Sequence, residues 1–160
     1  MQKDMITPSE LALDLARPWQ VENNAAGLSR GVCRLLQAMD CVALAEFPLS
    51  SGRRADILGL DRRGAFILVE IKSSLADFRS DSKWPDYLAH CDRFYFAVAG
   101  DFPVAVLPTE CGIMLADSYG AECNREAPLQ AMTAGVRRKQ TLRFARIAAS
   151  RLSSLREPSL

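Results

Sequence analysis

Glu46, Asp56, Glu70 and Lys72 are the residues of this 160-residue chain whose types and spacing can do chemistry. Apolar segments flank Ser50-Ser51-Gly52 and again Arg62-Arg63-Gly64, the three-residue connection in which a type I turn ends on a left-handed Gly. A loop of that length fixes which residues stand opposite one another. It sets Glu46 against Asp56 across the first connection and Asp56 against Glu70 across the second, and Lys72 projects from the same side of its strand as Glu70. Cross-strand neighbours approach within roughly 5 Å, where two like charges repel by about 3 kcal/mol at an effective dielectric near 20. A divalent cation relieves such a cluster. Mg²⁺ or Mn²⁺ takes hard oxygen ligands from one or two carboxylates, with water and a substrate phosphate completing the shell. Lys72 is then free to hold or deprotonate an attacking water and to counter the charge building on a phosphate. On an exposed edge strand Glu70 and Lys72 would be only a weak surface pair. The segment Phe66-Ile-Leu-Val-Glu-Ile-Lys72 is instead apolar on both parities, which predicts burial, and charges in a buried strand need a reason.

The elements that must position these residues are legible from periodicity. A helix is predicted over 28–39, with Ser29 as N-cap and Val32, Leu35, Leu36 and Met39 on one stripe. The period then changes to two, and strands over 42–49, 53–60 and 65–73 form a meander. Asp81-Ser82 can cap a helix running to about Cys91, since Pro85 falls in its first turn. Strands follow over 93–99 and 112–117, and a long helix closes the chain over 134–155. In that helix Leu142, Ala145, Ala149, Leu152 and Leu155 form the stripe expected to pack, with Lys139, Arg143 and Arg146 opposite, facing a nucleic-acid backbone. The order predicts an α/β fold with a mixed sheet flanked by helices. Residues 1–27 read as a short helix and tether, 28–156 as one domain and 157–160 as a tail.

Composition bounds the class. Hydrophobic residues make up 49% and charged residues 24%, with 20 Lys+Arg against 19 Asp+Glu, which excludes a disordered or collagen-like chain. The near-neutral sum hides a division: residues 1–133 carry 13 bases and 18 acids, whereas 134–160 carry 7 and 1. No apolar run approaches the length of a membrane span, and the N-terminus lacks a signal-peptide pattern, so a cytoplasmic protein without membrane contact is expected. Cys33, Cys41, Cys91, Cys111 and Cys123 are odd in number and form no Cys-x-x-Cys, which fits reduced, mostly buried thiols better than disulfides or zinc.

Arg54-Ala-Asp56, then thirteen residues, then Glu70-Ile-Lys72, resembles the PD-(D/E)XK nuclease superfamily, with Ala55-Asp56 in place of Pro-Asp. The resemblance implies a restriction-endonuclease-like core in which Asp56 and Glu70 hold Mg²⁺, with Ile71 among the metal positions, and Lys72 positions the nucleophilic water. Glu46 corresponds to the extra acid of some branches. Lys83-Trp-Pro-Asp-Tyr87 is similar to the Gln-x-x-x-Tyr element of the RecB-like branch, with Lys83 where Gln would be. A more specific likeness is to the MmcB family of bacterial DNA repair proteins. It is carried by Arg30-Gly-Val-Cys-Arg-Leu-Leu36, Glu70-Ile-Lys-Ser-Ser74, Ala76-Asp-Phe-Arg79, Asp81-Ser-Lys-Trp-Pro-Asp-Tyr87, Cys91-Asp-Arg-Phe-Tyr-Phe96 and Leu142-Arg-Phe-Ala-Arg146. The expectation is metal-dependent DNA hydrolysis in repair, or else a non-catalytic DNA-binding or adaptor module on the same fold. Arg53, Arg54, Ser73, Lys83, Tyr87, Lys139, Arg143 and Arg146 are the candidate DNA contacts. Other repair proteins and a second copy of the chain are the candidate protein partners.

Overall fold

A computed structural model describes residues 24–157. Nearly all of the N-terminal helix and tether expected over 1–27, and the last three residues, lie outside the described residues. Six strands form one sheet in chain order: β1 (Val42–Pro48), β2 (Arg54–Leu60), β3 (Phe66–Lys72), β4 (Arg93–Val98), β5 (Gly112–Ala116) and β6 (Ala121–Arg125). β1, β2 and β3 are antiparallel, β3, β4 and β5 parallel, and β6 returns antiparallel to β5. The expected mixed sheet is therefore present. β6 was not expected from the sequence; Ala121-Glu-Cys-Asn-Arg125 is an exposed or half-exposed edge strand without apolar alternation.

Both meander connections have the anticipated form. Gly52 and Gly64 sit at φ +84° and +85°, and Leu49–Arg53 and Asp61–Ala65 close the turns. Pairings such as Phe47 with Ala55 and Ile57 with Val69 follow the register that the loops dictate.

The parallel step from β3 to β4 needs a crossover. It is made by α2 (Leu75–Ser80), capped by Ser74, and by a 3₁₀ helix over Trp84–His90. The α-helix expected over 81–91 is thus replaced by a tighter turn, with three residues per turn. Lys83 and Tyr87, expected on one α-helical face, consequently do not share one: Lys83 is exposed and Tyr87 buried.

Helix α1 (Ala25–Ala38) covers one face of the sheet. It begins earlier than Ser29 predicts because Asn24 is the N-cap, its side chain accepting from Gly27 N–H at 2.8 Å. Leu28, Val32 and Leu36 are buried against Ile57, Ile67, Val69 and Ala97, whereas Met39 faces solvent. Gly31 lets the helix approach the β5–β6 turn; a Cβ there would stand 2.1 Å from the Asp117 carbonyl.

The other face carries the aromatic core of Phe47, Phe66, Phe94, Phe96 and Tyr87, closed by Phe144 of α3 (Ala134–Arg156). Here the expected packing stripe is corrected. Gln140 and Phe144 are buried and Ile147 packs on the core, while Leu142, Leu152 and Leu155 are exposed. The buried side of α3 is specified by polar anchors as much as by apolar ones. Arg137 binds Asp92 through both guanidinium nitrogens and the Gly64 carbonyl at 2.6 Å, and Gln140 binds the His90 carbonyl. Arg151 donates to the carbonyls of Ala45 and Glu46 on edge strand β1 at 2.6 and 2.9 Å. A search for apolar spacing does not find such a face.

No disulfide joins the five cysteines, of which Cys41, Cys91 and Cys111 are buried. No helix among the described residues is long and apolar enough to cross a membrane.

Candidate active site

β2 and β3 part at the end of their ladder, and the gap is filled by side chains. The last paired residues are Ile57 and Val69. Beyond them, Asp56 N–H donates to Glu70 Oε1 at 3.1 Å, and Ile71 N–H donates to Asp56 Oδ2 at 2.8 Å. Each carboxylate therefore accepts a main-chain proton from the opposite strand, at the register position the loop geometry predicts. Glu70 is buried at 4% exposure and Lys72 at 5%, because β3 is covered on both faces along its whole length.

The electrostatics follow from that burial. Glu70 is pushed up to about 8, first by burial and then by the Asp56 charge, against the opposing pull of the Asp56 N–H and Lys72. Asp56 is also raised, chiefly by burial, with the Ile71 N–H, Lys72 and Arg54 working against it. Two neighbouring carboxyl groups that resist ionising together would ionise more readily beside a cation.

Lys72 does not balance this pair alone. Its Nζ donates to Asp81 Oδ2 at 2.6 Å, and Asp81 Oδ1 accepts the Lys83 N–H at 2.8 Å. Burial works to raise Asp81, but these bonds and the two lysine charges outweigh it and hold it low. Asp81 was expected only as a helix cap. The 3₁₀ helix has no side-chain cap: one Asp81 oxygen accepts the N–H of Lys83, the residue before the helix, and the other holds the lysine. An ammonium has three donors, so two remain for a water and a phosphate oxygen.

Asp77 is a second acid that sequence reasoning passed over. It receives Ser73 N–H at 3.0 Å and Ser73 Oγ at 3.3 Å, and its charge helps to raise Asp56. Tyr87 closes the floor: its hydroxyl donates to the Arg54 carbonyl at 3.3 Å, and burial together with the charges of Glu70, Asp56 and Asp81 pushes it up to about 12. Tyr87 is thus buried beside the carboxyl cluster rather than an exposed DNA contact.

Glu46 does not join the cluster. Its backbone is left-handed, φ +50°, which interrupts the β1–β2 ladder at the one step where Glu46 would face Asp56. Its carboxylate stays in solvent, 3.7 Å from Arg54. Arg53 pairs with Asp86, and Ser73 stands at the exposed end of β3. Lys139, Arg143 and Arg146 are exposed on α3 and, with Leu142, Ile147 and Ser50, line a groove of about 630 Å³ beside the β1–β2 loop.

Asp56 and Glu70 suit a hard divalent cation by donor chemistry. Each commits one oxygen to a main-chain N–H, and the pair lacks a full balancing charge. Ile71 can contribute only its carbonyl. Among the described residues no group of three or more His, Cys, Asp or Glu side chains is gathered to hold a metal.

Fold and site together define a mixed-sheet α/β domain with a buried carboxylate–lysine cluster at the open end of its central strands. A model of the MmcB-like DNA repair protein family matches residues 16–159, and the chain belongs to that family. Membership points to a role in DNA repair. The SPO1766 protein of unknown function from Silicibacter pomeroyi has a similar solved structure, 45% identical, covering 82% of this chain and 90% of that one with a TM-score of 0.78. Among curated proteins none matches.

Proposed function

We propose that the domain is a PD-(D/E)XK-type deoxyribonuclease that hydrolyses DNA phosphodiesters with Mg²⁺ or Mn²⁺ during repair. The observation that carries this reading is the pair of main-chain hydrogen bonds that Glu70 accepts from Asp56 N–H and Asp56 accepts from Ile71 N–H, with the Lys72 ammonium buried beside them. Asp56 and Glu70 would hold the cation, with the Ile71 carbonyl beside them. When bound, the cation supplies Lewis-acid polarisation of a phosphate oxygen and a water of lowered pKa. Lys72 orients that water with one N–H and meets the charge growing on the phosphate with another, while Asp81 keeps the ammonium aimed. Arg53, Arg54, Ser73 and Lys83, near the cluster in the chain, would meet the DNA backbone there, and Lys139, Arg143 and Arg146, lining the groove beside Ser50, would add further phosphate contacts.

A second reading, a DNA-binding or adaptor module with a nuclease fold, is favoured by one observation. The lysine already has a tight anionic partner in Asp81. The two readings part in a cleavage assay on plasmid, nicked, branched and single-stranded DNA, using wild type and Asp56→Ala with Mg²⁺ or Mn²⁺. Metal-dependent cutting by wild type alone supports the enzyme. Undiminished binding without cutting in either metal, together with unchanged affinity in Lys72→Ala, supports the adaptor.

A further inference from the structure

Three cations act on Asp56 or on its neighbour Tyr87, and each is held by an acid from another element. Lys72, at the end of β3, holds Asp81 at 2.6 Å; Arg53, just before β2, holds Asp86 of the 3₁₀ helix at 2.5 Å; and Arg54, the first residue of β2, lies 3.7 Å from the Glu46 carboxylate of β1. Lys72 and Arg54 pull on Asp56, and the Arg53 charge reaches Tyr87 together with those of Glu70, Asp56 and Asp81. The segment 81–87 thus runs from β3 to β2, with Asp81 on Lys72, Asp86 on Arg53 and the Tyr87 hydroxyl on the Arg54 carbonyl. The three acids formally cancel the three cations, so these groups offer a polyanion no net attraction, although the guanidinium groups a DNA backbone needs are in place. Burial separates the pairs. The Lys72 and Asp81 side chains are 6% and 20% exposed, against 55% for Asp86 and 69% for Glu46. An exposed pair is weak and screened by salt, whereas breaking a buried one leaves an uncompensated charge. The two arginine pairs are therefore the ones that can open.

We infer that Asp86 and Glu46 are stand-ins for DNA phosphates, holding Arg53 and Arg54 until a phosphodiester backbone takes their places. Carboxylates and phosphates both meet a guanidinium with oxygen atoms in its plane, so one can follow the other without moving the arginine's backbone. Both acids are presented by fixed backbone. Asp86 lies in the first turn of the 3₁₀ helix, whose Tyr87 is anchored in the aromatic core. Glu46 is left-handed at φ +50°, and Arg151 fixes its carbonyl at 2.9 Å. Asn or Gly would take that conformation more readily; what a glutamate adds is the carboxylate beside Arg54. Each phosphate that reaches Arg53 or Arg54 breaks an ion pair and comes to lie beside the displaced acid. Backbone contact near the cluster is thereby held down, and DNA gripped at other points as well, such as Lys139, Arg143 and Arg146, is favoured over a passing duplex. The inference rests on the DNA contacts of the proposed function and not on cleavage.

Fluorescence anisotropy of labelled duplex DNA, measured on the full chain without divalent metal at low and high salt, tests the exchange. Asp86→Asn and Glu46→Gln change side chains that are mostly exposed, so the fold is retained. Each should bind at least about threefold more tightly than wild type at low salt, with the gain fading as salt rises. The gain should depend on the arginine: Asp86→Asn should give little in an Arg53→Gln background, and Glu46→Gln little in an Arg54→Gln background. Equal gains with and without the arginine mean plain repulsion between acid and DNA and overturn the inference. Either variant binding no more tightly than wild type, or a set of proteins none of which binds DNA, also overturns it. Cutting in Mn²⁺, followed on the same proteins, is a separate readout: tighter, arginine-dependent binding without cutting upholds the exchange and fails the nuclease reading.

Discussion

Lys72 and Asp81 are joined Nζ to Oδ2 at 2.6 Å, with Asp81 held in turn by the main-chain N–H of Lys83. The lysine is buried, so the position of its charge is set by a residue nine places along the chain and not by solvent. Replacing Asp81 by Asn removes a negative charge that helps to raise Glu70 and leaves Lys72 to the Asp56–Glu70 pair. Both effects lower Glu70. Mn²⁺ titrations by calorimetry across about pH 6 to 9 should show the midpoint of metal binding falling by about one unit in Asp81→Asn; an unmoved midpoint contradicts the coupling.

Glu70 itself gives a pH signature. Its folded-state value, about 8, lies above the usual glutamate range because of burial and Asp56. The neutral form is therefore favoured by folding, and its stabilisation is complete below the usual range and lost as pH rises through about 8. Metal-free protein should lose about 1–2 kcal/mol over that window, and Mn²⁺ should restore it, since a cation favours the ionised form. Glu70→Gln should flatten the dependence and abolish the metal effect. Thermal denaturation across the pH series, with and without Mn²⁺, measures both.

Far from the site, Asp92 holds α3 to the sheet. Its carboxylate is 3% exposed as a residue and takes Phe66 N–H at 2.7 Å as well as both nitrogens of Arg137. Burial works to raise it, but Arg137 and the N–H donors outweigh this and hold it low. A lowered acid stabilises fully above the usual aspartate value, and that contribution is lost as pH falls through the folded-state value. Asp92→Ala should cost about 3 kcal/mol at neutral pH, read as a shift in the urea midpoint, with the difference from wild type shrinking in strong acid.

The cation row of α3 makes a separable prediction. If Arg143 and Arg146 each neutralise one phosphate, replacing either with Gln weakens DNA binding about equally for all sequences. It should also reduce the slope of log affinity against log salt by about 1. Fluorescence anisotropy at several salt concentrations checks this, and an unchanged slope removes the residue from the DNA contact.

The reach of the sequence ended where backbone conformation and polar anchoring took over. Gly-terminated loops of three residues make the Asp56–Glu70 register legible in the sequence, and the double-sided apolar pattern of β3 makes the burial of Glu70 and Lys72 legible too. Glu46 was misplaced because one residue in a left-handed conformation breaks the ladder without changing the register on either side. The face of α3 was misread because Arg137, Gln140 and Arg151 dock it by hydrogen bonds to carbonyls, leaving the leucines outside. Asp81 reads in the sequence as a helix cap, but the 3₁₀ helix has no side-chain cap, and the fold uses Asp81 to join the Lys83 N–H to the Lys72 ammonium.

If a cation held by Asp56 and Glu70 drives DNA cleavage, single-turnover cutting of labelled DNA by wild type, Asp56→Asn and Lys72→Ala reveals it, with Mn²⁺ occupancy measured calorimetrically on the same samples. Wild type should bind and cut, Asp56→Asn should lose both, and Lys72→Ala should still bind Mn²⁺ but cut at least about a hundredfold more slowly. Wild type that binds no Mn²⁺ and cuts no DNA, or cleavage that persists in Asp56→Asn, would contradict it.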